Sequence, residues 1–262
     1  VDTDTKGNVY VSDHMNDRIQ VFSETGAFQK SLNTSKPVKV LIHQKTGEIY
    51  VFSWGIEGVP PAIIKSLDYY HEKVPQKLSI YSPFPDMKLK QEVDFPFGPS
   101  QIGNIAFRIG SRFQITLDSW TETPTIWIVG AMSDKIKSFA VNLQDSDKTG
   151  EEYGLRIIQV KEGKCKVVFN FEENAKKDLI SLSNGNNKKL YFSHKTEKLY
   201  ISENRVVGTG MTTGFLPEID PLTGKKRMLR LPFQFDDMDI DINGLIYLRT
   251  HTNVTRWELD PI

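Results

Sequence analysis

An all-β chain folded as a β-propeller, with five recognisable blades and six in the complete protein, is predicted by three features of this sequence. A two-strand unit recurs along its 262 residues. Each copy carries one anchoring aromatic in its first strand. Two of the gaps between anchors fit a four-stranded blade of roughly 40–45 residues. Such a unit cannot bury its apolar face alone, so the copies must stack or close into a ring.

The first copy is DTKGNVYVSDHMNDRIQVF, Asp4 to Phe22. A turn at Lys6-Gly7-Asn8 leads into an alternating strand through Val9 and Val11. A polar loop, Asp13 to Asp17, precedes a second alternating strand with Ile19, Val21 and Phe22. The second copy is HQKTGEIYVFSW, His43 to Trp54. The third is DSWTETPTIWIVG, Asp118 to Gly130, followed by DKIKSFAV, Asp134 to Val141, whose DKIKSF matches DRIQVF of the first. The fourth is SHKTEKLYISENR, Ser193 to Arg205, and the fifth runs from Asp239 to Pro261. The anchors Tyr10, Tyr50, Trp127, Tyr200 and Tyr247 are 40, 77, 73 and 47 residues apart. The two long gaps call for insertions or extra degenerate units.

The first copy resembles an NHL repeat, on Gly7, Val9, Tyr10, Val11, Asp13, Asn16, Arg18, Ile19, Val21 and Phe22. The later copies keep the strand rhythm and lose most of the Asp, Asn and Arg signature. The resemblance implies a propeller, usually six-bladed, from a family that spans interaction domains, RNA binders, amidating lyases, lactonases and bacterial extracellular proteins. Fold alone therefore does not set the activity. Localisation stays open, with a lean to an extracellular or periplasmic, secreted setting.

Composition narrows the partners. Lys plus Arg and Asp plus Glu are 33 each, for a formal charge of zero. A neutral chain lacks the clustered basic surface of a nucleic-acid groove. The run Lys225-Lys226-Arg227 follows Leu222-Thr223-Gly224 and reads as a solvated hairpin turn. No run reaches membrane-spanning length. Cys165 is the single cysteine, which excludes an intrachain disulfide and reads as a strand residue. Val1-Asp2 and Trp257 to Asp260 read as interrupted blade strands. One propeller domain over 1–262, cut from a longer chain, is the expectation, with other domains of that chain as partners.

Propeller connectivity places the candidate site. With blade strands a to d, the b–c and d–a connections open on one face of the ring. Four residues past each anchor lie His14, Trp54, Ala131, Asn204 and His251, all expected in b–c loops. Imidazoles at His14 and His251, with the Arg205 guanidinium, offer acid–base chemistry or charge stabilisation. The segment from Gly55 to Gln76 is expected as a long b–c loop carrying Tyr69, Tyr70, His71 and Glu72. With Trp54 and Asn204 these form the binding candidates, because aromatic rings give flat amphipathic surfaces for sugars or peptides. Asp2, Asp118 and Asp239 recur at the ends of the a strands and read as braces of the a–b turns. Asp236-Asp237 stand at the start of strand a as further acids.

No metal set is assigned, and the cofactor is unknown. There is no G-x-S-x-G elbow, H-E-x-x-H, phosphate loop or dinucleotide fingerprint. The function expected is a non-catalytic binding or scaffold propeller that presents a loop-rich face to a glycan or protein partner. The alternative is a hydrolase or lyase acting on a polysaccharide or other polar substrate at the axial mouth.

Overall fold

The computed structural model describes residues 1–53, 77–94, 114–133, 153–162, 164–170, 190–201, 203–207, 211–231, 235, 237–250 and 252–258. Five small antiparallel sheets form a ring, a five-bladed β-propeller. Among the described residues the only helical turn is the 3-10 turn His14–Asn16. Blade 1 comprises β1 (Asp2–Thr3), β2 (Val9–Asp13), β3 (Arg18–Phe22) and β4 (Phe28–Asn33), paired in that order. Blade 2 follows the same order with β5 (Pro37–Ile42), β6 (Ile49–Ser53), β7 (Lys77–Tyr81) and β8 (Leu89–Asp94). Blade 3 has β9 (Gln114–Asp118), β10 (Thr125–Ser133), β11 (Tyr153–Lys161) and β12 (Lys164–Asn170).

Blade 4 contains β13 (Leu190–Ser193), β14 (Lys198–Ile201), β15 (Glu203–Val207), β16 (Met211–Ile219) and β17 (Lys226–Leu231). There β14 pairs with the end of β16 and β15 with its beginning, while β17 takes the opposite edge. Blade 5 comprises β18 (Asp237–Ile240), β19 (Ile246–Arg249) and β20 (Val254–Trp257). Each anchoring aromatic sits in the second strand of its blade. No further sheet separates the widely spaced anchors among the described residues.

Alternation along these second strands builds the walls between blades. In β6 all five residues are buried. Ile49 and Val51 pack toward blade 1, against Tyr10, Ile19 and Val21. Tyr50 and Phe52 point the other way and join Ile115, Leu117, Ile126 and Ile128 of blade 3. Trp127 then faces blade 4, meeting Leu190, Leu199 and Ile201. Tyr200 turns toward blade 5, meeting Met238, Ile246 and Leu248. Each fully buried side chain of this kind contributes about 1.5–3 kcal/mol of transfer free energy, so these four walls dominate the stability.

β10 pairs with β9 and with β11. The DKIKSFAV segment, 134–141, lies outside the described residues. Two expectations are corrected. Ala131 is not in a loop but within β10, opposite Leu155. Asn204 and Arg205 lie within β15, opposite Gly214 and Thr213, so the b–c connection of blade 4 carries a strand. Hairpins β10–β11 and β15–β16 thus run on past the inner strands of their blades toward the b–c rim.

Candidate functional site

The two rims of the ring are defined by blade 1. Its b–c turn is held by Asp13, which accepts hydrogen bonds from Asn16 Nδ2 at 2.8 Å and Arg18 Nε at 2.8 Å. The Arg18 guanidinium, followed by the Asn16 amide, pulls the Asp13 carboxyl below the usual carboxylate range. Asp17, at φ 52°, accepts the Lys36 N–H at 2.8 Å and its ammonium at 3.1 Å. Its own carbonyl accepts from Thr34 N at 2.9 Å. The b–c turn is therefore tied to the connection into blade 2, and the Asp, Asn and Arg of the repeat signature serve this scaffold.

His14 occupies that turn. Burial, helped by the Lys36 charge, lowers its pKa, against backbone hydrogen bonding with Lys36 and Pro37. Of the other expected site residues, Trp54, Tyr69, Tyr70, His71, Glu72 and His251 lie outside the described residues. The turn that joins β19 to β20 closes through Thr250 N to Asn253 O at 2.8 Å.

The opposite rim is made by the a–b turns. In blade 1, Asp4 accepts from Asn8 N at 3.0 Å and from the Tyr10 hydroxyl at 2.9 Å. In blade 5, Asp241 repeats this with Leu245 N at 2.9 Å and the Tyr247 hydroxyl at 3.4 Å. Gly7 and Gly244 stand at φ 81° and 78° in these turns, a conformation that glycine adopts without strain. The spacing Asp-x-x-Gly-x-x-Tyr was readable in the sequence and is the true turn brace.

Asp2, Asp118 and Asp239, expected as braces, instead line an axial cavity of ≈ 580 Å³ to which all five innermost strands contribute. Asp118 alone also accepts a turn N–H, from Trp120 at 3.4 Å. Trp120, Tyr191, Phe192, His194 and Lys39 share the lining, with Asp237 and Asp241. The lining takes in residues of the a–b turns and does not include His14. His14 stands on the rim at the other end of the strands.

The cavity's carboxylates differ in how they are held. Asp2 accepts the Ile42 N–H of the next blade at 2.7 Å and the Thr3 N–H at 2.9 Å. Burial still raises its pKa, with Asp239 adding to the rise and Lys39 opposing it. Asp239 accepts the Ile240 N–H at 2.8 Å, and its pKa is raised by burial, with Asp237 and Asp241 adding to the rise. Asp237 Oδ1 accepts the Tyr191 hydroxyl at 2.9 Å, which, after burial, pushes that phenol upward. Asp118, 6% exposed, stands 3.4 Å from His194 Nδ1 across the boundary between blades 3 and 4. Carboxyls raised by burial inside a cleft mark a functional-site candidate. Among the described residues, no group of three or more His, Cys, Asp and Glu side chains could hold a metal ion.

Comparison with known proteins adds the fold and stops there. No family model and no curated protein sequence matches the chain. Among solved structures, a protein of unknown function from Bacteroides thetaiotaomicron is 13% identical with a TM-score of 0.50, over 93% of this chain and 50% of that one. The chain spans half the length of that protein. A streptogramin B lyase is 13% identical with a TM-score of 0.46, over 99% and 68% of the two chains. A protein of unknown function from Bacteroides caccae is 10% identical with a TM-score of 0.45, over 97% and 69%. No helix among the described residues is long and apolar enough to cross a membrane.

Proposed function

We propose that this propeller is a binding module that takes a glycan or similar polyhydroxylated ligand into its axial cavity. One observation carries the reading: carboxylate acceptors at Asp2, Asp118 and Asp239 share a ≈ 580 Å³ space with the rings of Trp120, Tyr191 and Phe192. Sugars are recognised by that combination, hydroxyls by anionic acceptors and C–H faces by aromatic rings. The b–c rim, with His14, Trp54, Asn204, Arg205, His251 and the Tyr69 to Glu72 segment, is the second surface of this reading, for a glycan or protein partner.

The test is calorimetric titration with a panel of soluble oligosaccharides. Trp120→Ala should weaken the cavity's ligand by about tenfold or more, and His14→Ala should leave that affinity unchanged. Loss in His14→Ala alone would move the site to the b–c rim, and no binding by the wild type would end the reading.

A catalytic reading, a hydrolase or lyase of a polysaccharide, is favoured by the raised carboxyls of Asp2 and Asp239. Carboxyls whose acid form is favoured by burial are groups that the general-acid step of glycosidic chemistry draws on. New reducing ends that disappear in Asp239→Asn would support it.

A further inference from the structure

His43 follows β5 and opens the a–b turn of blade 2. It is completely buried, with its ring against the Thr121 backbone of blade 3. Nδ1 lies 2.7 Å from Thr46 Oγ1, which also accepts the Glu48 N–H at 3.3 Å. The neutral ring and the Thr46 hydroxyl share one proton in this contact, which either tautomer of the imidazole satisfies.

The same turn joins three blades. Lys45 N donates to Ser119 O at 3.1 Å, and its ammonium pairs with Glu122 at 2.6 Å, both in blade 3. Gln44 donates to Thr3 O of blade 1 at 2.6 Å. Gln44, Ser119 and Thr3 all line the axial cavity.

We propose that His43 is an acid-sensitive latch, which while neutral holds the blade 2 and blade 3 turns together and on protonation lets them part and opens the cavity. Its role in ligand release rests on the cavity reading above. A second proton gives the ring N–H groups on both nitrogens and a full charge inside this site. The cation would sit in a site closed to water, where burial disfavours it.

The charged groups around the ring are Glu48 on its own turn, Lys45 beside it, and Asp118 and Glu122 from blade 3. Burial is the largest influence and lowers the pKa below the ordinary histidine value, against hydrogen bonding with the Thr121 backbone and the nearby carboxylates, of which Glu122 is engaged by Lys45. The closed turn therefore binds fewer protons than the open one. Opening gains up to about tenfold per pH unit as pH falls from about 6.5 toward the closed-state pKa, and levels off below it.

Hydrogen–deuterium exchange of the full chain, without ligand, tests this. Amides of 43–48 and 119–124, corrected for intrinsic rate, should exchange several-fold faster at pH 5.5 than at pH 7.5. In His43→Gln that ratio should fall to one, while His14→Gln keeps it. An unchanged ratio in the wild type, or the same rise in His43→Gln, would overturn the latch. If His43→Gln fails to fold, the His43 imidazole titration followed by NMR decides, since an ordinary pKa there is equally fatal. Exchange is read without ligand, so a failure of the cavity to bind any sugar would leave this result standing.

Discussion

The two rims of this ring follow opposite electrostatic plans. At the b–c rim of blade 1, Asp13 is neutralised by Arg18 and Asp17 by Lys36, and both carboxyls are pulled down. At the axis, Asp2 and Asp239 are pushed up by burial. The first arrangement locks a loop. The second stores unfavourable charge in a cavity, which a fold tolerates where a ligand is to be met. The strongest sequence signature of this chain, in blade 1, holds a turn, while the axial cavity is lined by residues without a motif.

The largest expected effect lies beneath both rims and should not distinguish them. Ile128, fully buried between blades 2 and 3, should cost about 2–5 kcal/mol on replacement by Ala, read as a shift in denaturant midpoint. A cost well below that would mean the charged rims, rather than the walls, hold the ring together.

The turn braces come next. Tyr10→Phe removes a hydroxyl held at 2.9 Å by Asp4 and should lose about 1 kcal/mol in the same assay. Tyr247→Phe breaks the longer 3.4 Å contact with Asp241 and should lose less. The reverse order would show that the two turns are not equivalent units.

The contrast itself is sharpened by a pair of charge changes of opposite sign. Asp239→Asn should raise Tm at pH 7, because the folded state resists that charge. The gain should shrink as pH falls toward the carboxyl's raised pKa. Asp13→Ala should lower Tm, with the deficit disappearing as pH falls through the depressed pKa of Asp13. Thermal melts across pH 3–8 check both, and changes of like sign would dissolve the distinction between the rims.

The smallest effect is at His14. Its pKa is lowered, so the folded state binds fewer protons, and stability falls as pH drops below about 6.5. His14→Gln should flatten part of that slope in the same melts. An unchanged slope would assign it wholly to other histidines.

How much was legible follows from where the information lies. The anchors Tyr10, Tyr50, Trp127, Tyr200 and Tyr247 each fell in the second strand of a blade, since spacing and alternation are local properties. One partner of β10 is β11, and no local window of the sequence shows that pairing. Asp2 and Asp239 were misplaced because their surroundings come from other blades: Ile42 and Lys39 for Asp2, and Lys39 again for Asp239. No window along the chain contains such a neighbourhood. The brace from Asp241 to Tyr247 was in plain sight, and only comparison with Asp4 and Tyr10 reveals it.

The two-sided burial of β6 also says where a chain like this is free to change length. One residue inserted in that strand would turn Tyr50 and Phe52 toward blade 1 and Ile49 and Val51 toward blade 3, spoiling two walls at once. Residues added between β6 and β7, where 54–76 already stand, disturb no register. A ring of this kind is elastic only at its joints. The unequal distances from Tyr50 to Trp127 and from Trp127 to Tyr200 are the measure of that slack, with no further sheet between them among the described residues.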